Sequence, residues 1–336
     1  MEEQQLDRIL LGAGGGGKLM HELIEKYFVP AFDLGQMMDS AILNIKPGKL
    51  AFTTDSFVVS PLFFAGGDIG SLAVNGTVND LSVSGAEPLY LSAAFIIEEG
   101  FLLSDLATIV ESMSKAAAKA NVKVVTGDTK VVGRGKADRI FINTTGIGLL
   151  PDGVESSPLK IDTSDVIIVS GEIGNHGACI MSGRNGLSFT PPLLTDTRPL
   201  NGLIKEMLTC SKNIHFMRDP TRGGIATALK EAALASNKCI VIKEHLLPIA
   251  DQVRGLCDLL GLDPLYIANE GILIAIVDRK DADKLLETMK KHPYGGNSAI
   301  IGEVMSSPQG MVIVETALGG KRVVEMQTHD QLPRIC

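Results

Sequence analysis

Short apolar runs rich in β-branched residues alternate with amphipathic helical stretches along most of this chain, and they do so in two series. In the first series, residues 50–54, 90–97, 122–126 and 140–148 read as strands. Between them, 105–121 reads as a helix with Leu106, Ile109, Val110 and Met113 on its apolar face and Ser104 or Asp105 at its start. A further helix is expected within 68–84. The second series predicts strands at 166–170, 240–243, 272–277, 299–304 and 311–315, with helices at 224–236, 251–260 and 281–292. Residues 151–165 (PDGVESSPLKIDTSD) divide the two and carry the composition of a linker. Such alternation builds sheets covered by helices, so the expected class is α/β (α+β) in two domains. The chain's 336 residues suit two cores of ordinary size. The expected division is 1–155, 156–325 and a mobile C-terminal tail, 326–336.

Charge and cysteine usage exclude several classes of function. The net charge is −8, and no Lys/Arg-rich stripe with aromatics occurs, so nucleic acid is not an expected partner. The charge-free stretches 56–67 and 140–151 are well short of the roughly 18 apolar residues of a membrane helix. The N-terminus, MEEQQLDRILL, opens with acids and lacks a basic targeting region. We therefore expect a cytoplasmic protein without a membrane partner. Five cysteines (Cys179, Cys210, Cys239, Cys257 and Cys336) include no C-x-x-C pair, which argues against a disulfide framework and a thiolate zinc site.

Several motifs bear chemistry. Residues 12–18 read GAGGGGK, which matches G-x-G-x-x-G and nearly matches Walker A, but Leu19 stands where Walker A needs Ser or Thr. A loop whose amides from Gly14, Gly15 and Gly16 fold over phosphates suits it better than either nucleotide fold. Acids recur in TTD (Asp55), VND (Asp80), TGDTK (Asp128, Lys130) and DPTRGG (Asp219), and two of them, Asp55 and Asp128, follow apolar strands. Strand ends are where ligand sites form in α/β sheets. Several carboxylates meeting there would suit Mg²⁺ with shared phosphates. Lys130 and Arg222 are candidate phosphate partners. Glu270 precedes an apolar strand, where a raised pKa would suit a base. His176, in Asn-His-Gly, is open to either a structural or a catalytic reading, and a lone His is more often structural. The chain ends PRIC, placing the Cys336 thiol at its tip.

Taken together, TTDSFVVSPLFFAGGDIG, GTVNDLSVSGAEP, VTGDTKVV, DPTRGG, ANEG, AIIGEV and terminal PRIC closely resemble the HypE family of hydrogenase maturation proteins over essentially the whole chain. The resemblance implies the aminoimidazole ribonucleotide synthetase-like fold, with a homodimer built through the N-terminal sheets. It implies ATP and Mg²⁺ held by Asp55, Asp80 and Asp128, with Asp219 assisting and Asp39 as a further metal acid. The family's His before the glycine loop is Leu11 here. The implied reaction is ATP-dependent dehydration of a carbamoyl group on Cys336 to a thiocyanate, with Lys130 and Glu270 catalytic. The implied partners are the carbamoyltransferase HypF and the HypC–HypD complex, which receives cyanide for the iron of [NiFe] hydrogenase.

Two rivals define the alternatives. A selenophosphate synthetase of the same superfamily typically carries a reactive Cys near its start, whereas the first Cys here is Cys179; a small-molecule kinase has no use for Cys336. A non-enzymatic metal or sulfur carrier would have only His329 near its thiol, a poor ligand set.

Overall fold

The fold is described from a computed structural model covering residues 7–15, 17–34, 40–327 and 332–336. Gly16 and Asp39 lie outside the described residues. The N-terminal half opens with a short helical arm, α1 (Lys18–Leu23) and α2 (Val29–Phe32). It then forms a four-stranded sheet from β1 (Lys49–Phe57), β4 (Glu87–Glu98), β5 (Lys123–Val132) and β6 (Ile140–Leu150), in the order β1-β6-β4-β5. A small ribbon of β2 (Phe63–Phe64) and β3 (Gly67–Asp68) leads into α3 (Ile69–Val83), and α4 (Leu103–Ala120) connects β4 to β5. The β4–β5 pair is parallel, as its helical crossover requires, whereas β6 is antiparallel to both β1 and β4.

Both helices cover one face of this sheet. Leu106, Ile109, Val110 and Met113 of α4 are buried, as their spacing predicts. The other face is left open: Leu50, Phe52 and Ile96 are exposed on it, Phe52 at 71%. Such exposure of large apolar side chains on one pleated face is uncommon in a free surface. Pleat parity sorts the site residues between the two faces. In β1, Ala51, Thr53, Asp55 and Phe57 turn toward α3, whereas Leu50, Phe52, Thr54 and Ser56 turn away. In β5, Asp128 pairs with Ala94 and Lys130 with exposed Ile96, so both stand on the open face.

The second half forms a seven-stranded sheet ordered β13-β12-β9-β11-β7-β10-β8. Its strands are β7 (Val166–Val169), β8 (Ile214–Arg218), β9 (Cys239–Lys243), β10 (Ile274–Val277), β11 (Ala299–Met305), β12 (Val312–Glu315) and β13 (Lys321–Val324). Central β7 and β10, sequences VIIV and IAIV, are buried throughout because helices cover both faces. One face packs against α7 (Gly224–Ser236); the other packs against α6 (Asn201–Cys210) and α9 (Arg279–Lys291). Two further helices, α5 (Asn175–Arg184) and α8 (Asp251–Leu260), join the hydrophobic core of the first half. Among the described residues, no helix is long and apolar enough to cross a membrane.

The terminal residues belong to that same first core. Leu332 and Ile335 are buried in it, and Cys336 packs partly against it. The tail expected at 326–336 is thus seated at 332–336, while 328–331 lie outside the described residues.

Candidate active site

The site is built where α3 crosses β1 and meets loops of the second half. Gly76 lets α3 approach the strand: a Cβ there would stand 2.9 Å from the Phe57 ring. This closeness sets Asp80, one turn on, against β1, where the Thr53 hydroxyl donates to Asp80 Oδ2 at 2.9 Å. Asp55, two residues along the same face, accepts from the Ser56 amide at 2.8 Å.

Two buried amide side chains bring the second half into place. Asn79 on α3 donates to the carbonyls of Arg198 (3.1 Å) and Glu270 (3.2 Å) and accepts from the Leu200 amide (2.8 Å). Asn269, fully buried, donates to Pro220 O at 2.9 Å and accepts from Gly174 N at 2.6 Å. It thereby ties together the DPTRGG loop, the NEG segment and the start of α5. The Asp196 carboxylate receives the amides of Glu270 and Gly271 at 3.2 Å. Gly271 is obligatory there, since a Cβ would fall 1.7 Å from Asp196 O. Neither Asn79 nor Asp196 stood out in the sequence as a site residue. Asn79→Ala leaves three buried polar groups unpaired, and we expect it to cost on the order of 3 kcal/mol. A urea unfolding free energy within about 0.5 kcal/mol of the parent would contradict this.

Four acids therefore meet: Asp55, Asp80, Asp219 and Glu270. Their electrostatics betray a surplus of negative charge. Burial, and then the neighbouring Asp80, push Asp219 up to about 7. Burial raises Asp55, and burial followed by the Asp55 charge raises Asp80, with the Thr53 hydrogen bond and the Arg218 and Arg222 guanidinium groups pulling Asp80 back. Glu270 is 3% exposed and raised well above the usual carboxylate range, first by burial and then by Asp219, Asp196, Asp55 and Asp80. Its Oε1 is buried without a hydrogen-bond partner. Carboxyls that the protein's own cations leave so poorly neutralised invite a cation from outside.

Asp128 and Lys130 do not join this group. They pair with each other at 2.7 Å, exposed, on the far edge strand and the opposite face of the sheet. That ion pair holds the Asp128 carboxyl below its usual range. The glycine loop packs on the same edge strand. Leu11–Gly14 forms a 3₁₀ turn packed on β5, where a Cβ at Gly14 would come 2.6 Å from Val131 N; Gly15 caps it. Among the described residues, no group of three His, Cys, Asp or Glu side chains is disposed to hold a metal ion alone. The all-oxygen donor set nevertheless suits Mg²⁺, which commonly takes one or two carboxylates together with substrate phosphates.

Cys336 lies beside the segment that follows β1. Its main-chain oxygen accepts from the Val58 amide at 3.0 Å, so the terminal residue lies alongside the segment that leaves β1, three residues on from Asp55. His176 is structural in position, fully buried between Thr195 and the Ile335 carbonyl.

This arrangement can be compared with known proteins. Residues 37–150 match the model of the AIR synthase related protein N-terminal domain, and 163–315 match that of its C-terminal domain. The carbamoyl dehydratase HypE of Azotobacter vinelandii is 49% identical over 326 residues, 96% of each chain. A crystal structure of hydrogenase maturation protein HypE in complex with ATP superposes with a TM-score of 0.94 at 46% identity, covering 97% of this chain and 99% of that one. A chain of a HypE–HypF complex matches at 47% identity and a TM-score of 0.81, covering 93% and 100%. With two AIR synthase related domains and full-length identity near one half, the chain belongs to the HypE family of carbamoyl dehydratases.

Proposed function

We propose that this protein uses ATP to dehydrate an S-carbamoyl group on its own Cys336 to S-cyanocysteine, which supplies the cyanide ligand for the iron of [NiFe] hydrogenase. The observation that carries the reading is the seating of Cys336 alongside the segment that leaves β1, the strand that presents Asp55 to Asp80, Asp219 and Glu270. In this reading residues 1–155 bind ATP and dimerise, 156–325 close the cleft, and 326–336 carry the reacting group.

The chemistry balances as follows. The carbamoyl oxygen of Cys336–S–C(=O)NH₂ attacks the γ-phosphorus of ATP, and ADP leaves. The oxygen has then become part of a good leaving group. Loss of both N–H protons and departure of inorganic phosphate leave Cys336–S–C≡N, the carbamoyl oxygen now residing in the phosphate. Glu270 is the base for the amide proton. Its burial makes it a stronger base once ionised than a free carboxylate. When bound, Mg²⁺ would offset phosphate charge, with Asp55, Asp80 and Asp219 as its holders, Asp128 contributing only from a second copy, and Asp39 a further proposed acid.

Lys130, proposed to stabilise the transferred charge, reaches this cleft most simply from a second copy. Within one chain it stands on the opposite edge and face of the sheet from Asp55. The open face with Leu50, Phe52 and Ile96 supports a homodimer formed there. Loading by the carbamoyltransferase HypF is supported by the solved HypE–HypF complex of a relative. Delivery to HypC–HypD, in the cytoplasm, completes the proposal.

The test is intact mass after incubation with the carbamoyltransferase, carbamoyl phosphate and ATP–Mg²⁺, followed by mapping of the C-terminal peptide. Gain of a carbamoyl group on Cys336, then ATP-dependent loss of one water, is the expected result. An unmodified Cys336, with transferase and ATP both shown active, would overturn it.

A further inference from the structure

Chain ends normally fray unless something holds them, and the end of this chain is held by a set of side chains that the reaction itself does not use. Arg184, at the end of α5, reaches three carbonyls. Its Nη1 donates to Pro333 O at 2.8 Å, its Nη2 to Arg334 O at 2.5 Å and its Nε to Ser60 O at 2.7 Å. His176, also on α5, bonds Ile335 O through Nε2 at 2.8 Å. A carbonyl only accepts, so Nε2 carries the proton; burial keeps the ring neutral, and Nδ1 accepts from the Thr195 hydroxyl at 2.7 Å. On the other side, the amides of Val58 and Ser60 donate to Cys336 O and Arg334 O.

Every one of residues 333–336 thus has a main-chain oxygen taken by a donor from the body of the protein. Leu332 and Ile335 are buried as apolar anchors. Between them Arg334 sits at φ 54, a left-handed conformation unusual for a side-chain-bearing residue. Its guanidinium donates to Val58 O at 2.9 Å and pairs with Asp138. A disfavoured backbone conformation persists only where its surroundings over-determine it. These α5 hydrogen bonds go to main-chain oxygens, so they do not change when the thiol becomes a thiocarbamate or a thiocyanate.

We propose that Arg184 and His176 are positioning residues that seat the C-terminal tail by its main chain and so fix where the Cys336 sulfur stands for dehydration. The inference rests on the reading above that Cys336 carries the reacting group.

The experiment uses the full-length protein. Without nucleotide or partner, alkylation of Cys336 by limiting iodoacetamide is followed by peptide mass mapping. Arg184→Ala is expected to raise the Cys336 rate about tenfold or more, the size of losing one or two charge-assisted hydrogen bonds. Arg184→Lys keeps the charge but not the fork, and should raise it by less; it carries the test if the alanine variant does not fold. On carbamoylated protein, Arg184→Ala should slow single-turnover dehydration while leaving the ATP dissociation constant unchanged, a split that general destabilisation would not give. Unchanged Cys336 alkylation in both Arg184→Lys and His176→Gln would overturn the seat. Failure of the parent protein to dehydrate would instead remove the proposed chemistry, with the alkylation rates still deciding the seat.

Discussion

Glu270→Gln is expected to fold, accept a carbamoyl group on Cys336 and bind ATP, yet to dehydrate about 10²–10⁴-fold more slowly than the parent. The substitution is nearly isosteric and removes only the ability to take a proton. The site is prepared for that loss to matter: the Glu270 carboxyl is buried, its Oε1 has no hydrogen-bond partner, and the acids around it raise its pKa further. In the parent, the dehydration rate should climb with pH to a point well above the usual carboxylate range, because only the ionised form is a base. In the variant that limb should vanish. Single-turnover mass spectrometry across pH tests both statements, and a variant that keeps the parent's rate and pH profile would remove Glu270 from the proton transfer.

Asp219→Asn is expected to make the protein more stable at pH 8 while weakening its ATP–Mg²⁺ binding. The sign follows from linkage. Asp219 is raised from 3.8 to about 7 in the folded protein, so the native state holds a proton that the unfolded chain releases between those values. The corresponding stability is fully present below pH 3.8 and is lost as pH rises through about 7. Above that range the native carboxylate is buried beside the Asp80 and Asp55 carboxyls. Neutralising it should recover on the order of a few kcal/mol, read as a melting temperature a few degrees higher. The gain should shrink toward zero near pH 4. A variant that melts lower than the parent at every pH would mean that Asp219 acts instead as a needed hydrogen-bond acceptor.

Much of the fold was legible because core strands and amphipathic helices have periods that the eye can count. Helices expected at 105–121 and 281–292 form at Leu103–Ala120 and Arg279–Lys291, and those at 224–236 and 251–260 form with those bounds. One helix with a helical period, α6, went unread; the other elements that escaped include two with no periodicity to show. In α5, NHGACIMSGR, residues 176–180 are buried in succession, so no polar face alternates with an apolar one. Strand β8, IHFMR, is short and ends in a charged residue. Within the site, Asp55, Asp80, Asp219 and Glu270 were each visible as acids in turn-like or strand-end motifs, and they do meet. The placement of Asp128 and Lys130 on the open face was not readable, because it depends on pairing register: the β4–β5 ladder slips between Leu91 and Ser92, and each single step reverses a side chain's face. Asn79 and Arg184 gave no signal, since their importance lies in carbonyls more than a hundred residues distant.

Seating the tail through its peptide carbonyls has a kinetic corollary. A reactive group tethered to the chain has a local concentration set by the tether, so the reaction is first order in protein and only ATP shows saturation. The same seat cannot tell product from substrate, because both present an identical backbone. Completion of the chemistry therefore sends no signal to let go. In the proposed reaction an acceptor would have to capture the finished tail in competition with Arg184 and His176, and a firmer grip would speed the chemical step only by slowing the hand-over.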